Sequence, residues 1–439
     1  MTGTDPILRR PLSYLESSLH WATTDLSSSM ICAWAAGTGT VEHADLRHAG
    51  AVLHRRHPLL RSRVTGSPGA YEFVTDVPWE RIPVEEHALP PGASINQVIE
   101  PMMNTPLPVT ERCWEIGFVR VPDRDRWWLV LRTHHAMTDG HSVSRLLDQF
   151  GELLGHLATG AAIDETPRPL PDPIEHQLDP PGTMDRWTRA AREAADQIGT
   201  ISPWPVDQEA DPDHRRSANA CTVFEPAFTS RLIDRCHREG TTVQGALAAA
   251  VTQAIAVYLD GPVTIDTITP VDLRRFADTT IDPEEIACKI LCLDTGLSEV
   301  APDGDPWAVA RTYRDRLQTQ LEARSFPPVD FTATDIEQSG LGWMDAEGRH
   351  THGFSLTNTG VLEVRGDYGP IRFEEVDLTA TVRWGGFPVL LSACTFRDRL
   401  RFTYTWTEPL LHREHAEALA ADVERRLQAM VDGHAPSLD

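Results

Sequence analysis

Apolar positions recur along this chain with two periods, one near 3.6 and one that is continuous over short runs. Over 43–57, Leu46, Ala49, Val52 and Leu53 fall near one face, which predicts a helix. Pro58 ends it, because the residue before a proline avoids the helical region. Residues 71–77 and 113–120 read as strands, and 127–133 (WWLVLRT) is a strongly apolar run suited to a buried strand. Trp127 and Trp128 are expected to fill core positions beside it. The segment HHAMTDGHS follows directly. Beyond it, 143–157 is amphipathic, with Leu146, Leu147, Phe150, Leu153 and Leu154 on one side.

A different texture begins at 166. TPRPLPDPIEHQLDPPGT and SPWPVDQEADPDH are dense in proline and aspartate, and are poor at both helix and sheet. One helix-compatible stretch, MDRWTRAAREAADQI, interrupts them. This predicts a first lobe over 1–165, a crossover linker over 166–216 and a second lobe over 217–439. In the second lobe 228–239, 243–259 and 306–323 read as helices, and a last helix runs over 412–430. The run 263–269 (VTIDTIT) reads as one strand closed by Pro270; 286–294, the neighbourhood of Phe354, 371–378, 389–396 and 400–406 are further strands. Strands mixed with helices in both halves predict an α/β (α+β) fold with mixed sheets.

Composition narrows the class. The chain has 439 residues, 41% hydrophobic and 24% charged, enough for a sizeable core in two lobes. Its net charge of −24 opposes nucleic acid phosphates and anionic lipid heads, so neither is an expected partner. The seven cysteines form no CxxC pair and Cys288 and Cys292 have no histidine cluster beside them, so buried free thiols are expected and no metal site is. No stretch approaches the roughly 20 apolar residues of a membrane span. Pro6, Pro11 and neighbouring charges break any signal-peptide run, and a cytoplasmic protein is expected.

The chemistry sits in His134-His135-Ala136-Met137-Thr138-Asp139-Gly140. A histidine at a strand's end can take a proton from a nucleophile at neutral pH and pass it to a leaving thiolate. Asp139, four residues on, is placed to fold back and anchor the turn through an arginine, and Gly140 to allow a backbone shape that other residues resist. A lone HxxxD among 18 histidines is weak evidence and is usually a surface loop. Two histidines after an apolar strand, then Asp-Gly, then a helix, is far more restrictive.

In that context the segment resembles the HHxxxDG motif of the CoA-dependent acyltransferase superfamily, which includes nonribosomal peptide condensation domains. Arg56-His57-Pro58-Leu59-Leu60-Arg61 resembles that family's RHxxLR segment, Pro270-Val271-Asp272-Leu273-Arg274 its PV(D/N/S)LR segment, and the run from Gly353 to Gly360 its tunnel-lining strand. The resemblance spans the whole chain and is nearest to free-standing condensation enzymes and polyketide-associated acyltransferases. The DFGWG segment of plant acyltransferases is absent, and Ile286-Ala287-Cys288-Lys289-Ile290 stands where an xGxxxN-like strand is common.

The resemblance implies two chloramphenicol-acetyltransferase-like lobes with an active-site tunnel at their interface. It implies that His135 is the general base and His134 packs or bonds in the turn. It makes Asp139 structural, salt-bridged to Arg61 or Arg274. Gly140, Ser355, Thr357 and Asn358 are the oxyanion and tunnel candidates. Transfer would be direct, without an acyl-enzyme, and no GxSxG elbow is visible. No bound cofactor or metal is implied, and a monomer, the family's common habit, is expected. The donor would be acyl-CoA or a phosphopantetheinyl thioester on an acyl or peptidyl carrier protein, docking at a basic patch such as Arg10, Arg55 and Arg56. The acceptor would be a small alcohol or amine. Cyclisation, dehydration or epimerisation of a tethered substrate, or a catalytically silent recruiting fold, are the alternatives.

Overall fold

A computed structural model of the chain describes residues 6–24, 28–122, 124–198, 200–329, 353–383 and 386–433. The first lobe contributes β1 (Arg9–Pro11), α1 (Tyr14–Thr24), β2 (Ser28–Thr38), α2 (His43–Arg56), β3 (Arg63–Thr65), β4 (Glu72–Val74) and β5 (Val84–Ala88). It continues with α3 (Asn96–Asn104), β6 (Trp114–Arg120), β7 (Trp127–His134) and α4 (Gly140–Thr159). The linker carries α5 (Met184–Ile198), as its helix-compatible stretch predicts. The second lobe adds β8 (Arg216–Val223), α6 (Pro226–Arg238), α7 (Val243–Tyr258), β9 (Val263–Ile265), β10 (Thr267–Asp272), β11 (Ile290–Asp294) and β12 (Leu297–Val300). Then come α8 (Pro306–Ala323), β13 (Phe354–Val361), β14 (Asp367–Tyr368), β15 (Ile371–Val382), β16 (Val389–Phe396), β17 (Arg399–Glu408) and α9 (Arg413–Asp432).

Two six-stranded mixed sheets organise these elements, in the orders β14-β15-β2-β7-β6-β5 and β11-β10-β13-β16-β17-β8. β7 shows why its sequence is apolar throughout. All eight residues are buried, since both faces of the sheet are covered. Trp127, Leu129 and Leu131 pack into the core beneath α2 and α4, whereas Trp128 and Val130 pack on the α3 side. In the second lobe α7 is apolar almost all round, and its alanines let α8 and α9 approach closely. Among the described residues no single helix is long and apolar enough to cross a membrane.

Three expectations are corrected. The run 263–269 is not one strand: it divides at Asp266, with β9 pairing β12 and β10 entering the large sheet. Pro270 does not close that strand but lies inside it, opposite Cys292. β13 pairs β10 only at Thr267 and Ile268, so a residue without an N–H is tolerated at 270. The lobes are also not contiguous in sequence. β14 and β15 follow β13 of the second sheet, yet join the first, with β15 antiparallel to β2.

Candidate active site

β7 ends at His134, and the chain turns sharply into α4. Met137 and Thr138 N–H groups both donate to the His134 carbonyl, at 2.9 and 3.3 Å. The hydroxyls of Thr133 and Thr138 close the turn across 2.6 Å, and Ala136 and Met137 are fully buried beneath it. His135 is thereby held at the rim of the strand. Its Nδ1 lies 2.8 Å from the Thr138 carbonyl. A carbonyl only accepts, so Nδ1 carries the proton and Nε2 keeps its lone pair. Burial holds His135 below the ordinary value of 6.5; backbone contacts at His135 and Thr138 and the charge of Asp139 oppose that effect.

The ring lines a cavity of about 390 Å³ between the two sheets. α1 lines it with Leu15, Leu19 and Trp21, β15 with Leu378 to Val382, and the second lobe with β10, β11 and β13. Trp187 and Ala190 of the linker helix also reach it, and Trp187 stands edge-on to Tyr14. The walls are mainly apolar, and the charged side chains among them are the carboxylates Glu193 and Asp294.

The remaining candidates separate cleanly. His134 faces away from the cavity. Its Nε2 is 3.0 Å from Nδ1 of His20 on α1, and its Nδ1 is 3.4 Å from the Thr23 hydroxyl. Burial, with His20 and His135 adding to it, holds His134 well below the ordinary range. Asp139 caps α4, accepting from the Ser142 N–H at 2.8 Å. Its partner is Arg274, in a two-pronged pair at 2.9 and 3.2 Å. The Lys289 N–H completes the carboxylate at 2.8 Å. Despite burial, Arg274 and these N–H groups hold Asp139 down to about 2. The Ser142 hydroxyl donates to the Ala287 carbonyl at 2.6 Å. A first-lobe helix is thus locked to the second-lobe segment 274–289. Arg61 is not part of this lock; it lies buried in the turn Pro58–Arg61, near His54.

Gly140 is the first residue of α4 and has no positive φ, so the expected conformational reason for glycine is wrong. Close approach is the reason: a Cβ there would sit 3.1 Å from Thr359 Oγ1 and 3.2 Å from Leu378 Cδ1. Ser355 and Thr357 line the cavity from β13 with Gly140. Asn358, one residue out of phase, instead accepts the Gly360 N–H at 3.0 Å. Thr359, inside the Gly353–Gly360 run, meets Gly140 rather than the cavity, and the α1 residues on the cavity wall carry no motif.

Two further expectations fail. Arg10 is buried and doubly bonded to Glu16, Arg55 pairs with Glu165, and Arg56 bonds Gln149. They form no free basic patch. Of the seven free cysteines five are buried, but Cys221 and Cys292 are exposed, and Cys292 lines the cavity. Cys288 Sγ is 4.0 Å from Nδ1 of His135, on the side of the ring away from its free lone pair. Burial, with the charge of Asp139, pushes that thiol well above its ordinary value.

Residues 214–404 match the family described as phthiocerol/phthiodiolone dimycocerosyl transferase C-terminus. The comparison with curated proteins found no match. Among solved structures, the trichothecene 15-O-acetyltransferase of Fusarium sporotrichioides superposes with a TM-score of 0.77 at 12% identity, over 98% of this chain and 97% of that one. Polyketide synthase associated protein 5 of Mycobacterium tuberculosis gives 0.69 at 17% identity, over 97% and 98%. The starter condensation domain of rhizomide synthetase, in complex with C8-CoA, gives 0.66 at 15%, over 98% and 96%.

Proposed function

We propose, for a chain that has the acyltransferase/condensation-type fold of the CoA-dependent acyltransferase superfamily, that it transfers an acyl group from a thioester to an alcohol or amine with His135 as general base. The observation that carries this reading is the orientation of one ring. His135 lines the inter-lobe cavity while its Nδ1 is committed to the Thr138 carbonyl. That leaves Nε2, neutral at pH 7, to accept a proton.

The steps balance as follows. The acceptor's oxygen or nitrogen attacks the thioester carbonyl with its lone pair, and Nε2 takes the O–H or N–H proton as the new bond forms. The C–S bond then breaks, and the imidazolium returns its proton to the thiolate. The intervening oxyanion needs donors. The Gly140 N–H and the hydroxyls of Ser355 and Thr357 are the candidates around the same cavity. Asn358 is dropped from that role because its side chain serves its own turn. Direct transfer is favoured because the thiol nearest to His135, Cys288, is held protonated and lies outside the cavity walls. Asp139 and Arg274 hold the base in place without touching the reacting atoms.

The donor carries the phosphopantetheine arm that CoA and carrier proteins share. An apolar wall suits an apolar acyl chain, and Glu193 and Asp294 on it disfavour an anionic acceptor. The test mixes acyl-CoA and acyl-carrier donors with alcohols and amines and reads products by intact mass. His135→Ala should lower turnover by about 10²–10⁴-fold with an unchanged circular dichroism spectrum. Turnover equal to wild type in a folded His135→Ala protein refutes the assignment. Product from a donor alone would indicate cyclisation or dehydration instead.

A further inference from the structure

Outside the cavity walls, the linker is fastened to the start of α9 by an arrangement that the acyl-transfer reading does not use. Asp207 comes from the proline-rich segment that contains Trp204. Its backbone N–H donates to the Leu410 carbonyl at 2.8 Å, which fixes the residue against the turn before α9. Its carboxylate then meets two histidines three residues apart. The His415 Nδ1 is 2.8 Å from both oxygens. The His412 Nδ1 is 4.0 Å from Oδ2. Among the described residues these three side chains form a group whose donor atoms all lie within 4.8 Å of one another.

A helix cap explains part of this. The His412 N–H donates to Asp207 Oδ2 at 2.6 Å, as an acidic residue at a helix N-terminus should accept. The cap does not explain the His412 ring. That ring takes no part in capping, yet its Nδ1 is turned toward the carboxylate. Its plane lies within 30° of the His415 plane, with centroids 6.0 Å apart. The surroundings also support the donors. Tyr258 donates to Asp207 Oδ1 at 3.2 Å and stands edge-on to His415 at 5.8 Å. Such outer contacts orient ligands at metal sites.

Distances decide whether an ion fits. Zinc bonds nitrogen and carboxylate oxygen at about 2.0–2.2 Å, so two ligands of a tetrahedral ion stand about 3.4 Å apart. The observed 2.8 and 4.0 Å between Asp207 Oδ2 and the two imidazole nitrogens bracket that separation, so each of these two pairs needs to move by about 0.6 Å, and the two imidazoles already stand within 4.8 Å of one another. Two imidazoles and one carboxylate are a donor set for zinc and its neighbours in the transition series, not for calcium or magnesium.

We propose that Asp207, His412 and His415 bind one divalent ion of the zinc class, stapling the linker to the first turn of α9. The ion takes the place of the proton now shared between His415 Nδ1 and the carboxylate, and water fills the remaining coordination. His412 and His415 side chains are 41% and 43% exposed, so the ion can enter from solvent. None of the three lines the cavity, and the proposal stands apart from the catalytic reading.

The test uses the full chain, stripped with EDTA and titrated with zinc chloride by calorimetry, with thermal unfolding in parallel. One zinc should bind per chain, and at a free concentration 100 times its Kd it should shift the unfolding equilibrium about 100-fold toward the folded state. His412→Ala should weaken zinc at least tenfold while leaving the melting temperature of the stripped protein unchanged, because the ring is idle in the cap. The double variant His412→Ala/His415→Ala should lose both binding and stabilisation, and magnesium should do neither. Absence of zinc binding to the wild type overturns the proposal. So does equal zinc binding by wild type and the double variant.

Discussion

Removing the Asp139 carboxylate tests the lock between the lobes most directly. Asp139→Ala strands the Arg274 guanidinium, which is 13% exposed, and leaves the Lys289 and Ser142 N–H groups without their acceptor. Breaking one partner of a buried pair costs about 3–5 kcal/mol. Arg274 keeps Asp272, the Ser142 hydroxyl and the Ala287 carbonyl at 2.9–3.1 Å, which argues for the lower end. Unfolding entropy of about 2.1 cal/mol/K per residue gives roughly 0.9 kcal/mol/K for a chain of this length, so the melting temperature should fall by about 3–5 °C. Activity should fall with it, since the same residue begins the helix behind His135. Arg274→Met in the Asp139→Ala background should restore part of the stability, because the stranded cation is gone. The pH dependence has a definite sign. Asp139 titrates at about 2, below the ordinary 3.8, so roughly 2 kcal/mol of stabilisation is fully present above pH 3.8 and disappears as pH falls through 2. The gap between wild type and Asp139→Ala should therefore be constant from pH 8 to 5. A melting temperature for Asp139→Ala within 1 °C of wild type, or strictly additive single variants, would refute the lock.

Other outcomes follow from the same geometry. Because burial holds His135 below 6.5, the acid limb of kcat/KM should have its midpoint below that value; a midpoint above 7 would contradict the assigned base. Gly140→Ala gains about 1 kcal/mol in helix propensity and loses a comparable amount to crowding against Thr359 and Leu378. Its stability in urea should lie within about 1 kcal/mol of wild type, while turnover falls because the crowding moves β13 against His135. His54 and His57 are buried and neutral, held down to about 4 and about 3, mainly by burial. Unfolding lets both protonate, so their neutral burial is without cost above pH 6.5 and costs about 2 kcal/mol each at pH 5. Denaturant curves at pH 7.5 and 5 should differ by at least about 4 kcal/mol, and His57→Gln should lessen that difference.

The residues that were legible beforehand are those whose local sequence states their role. β7 announces itself by an unbroken apolar run, and α4 by its Asp cap and one-sided leucines. The paired histidines are local as well, and the structure puts the ring of the second, His135, on the cavity wall. Where the outcome depends on residues distant in sequence, reading failed. β2 (SSMICAWAAGT) is central in its sheet but is built of small residues, which pack beneath neighbours and give no strand-like pattern. The choice between Arg61 and Arg274 is a matter of which arginine crosses the lobe boundary, 135 residues away. The three basic residues expected to form a docking patch are engaged by Glu16, Glu165 and Gln149, partners that charge counting does not reveal. The cavity wall on α1 carries ordinary leucines and a tryptophan, and only folding shows which face they present.

β15 gives the architecture a consequence for anyone who divides the chain. Its nine residue partners on β2 cover one edge of the sheet that bears His135, and its Leu378–Val382 stretch forms cavity wall. A fragment ending in the linker would expose the apolar flank of β2 as a bare edge, an invitation to intermolecular pairing. Expression of the front half alone should therefore yield aggregates, and a split form should regain solubility only when the back half is co-produced to donate its strand.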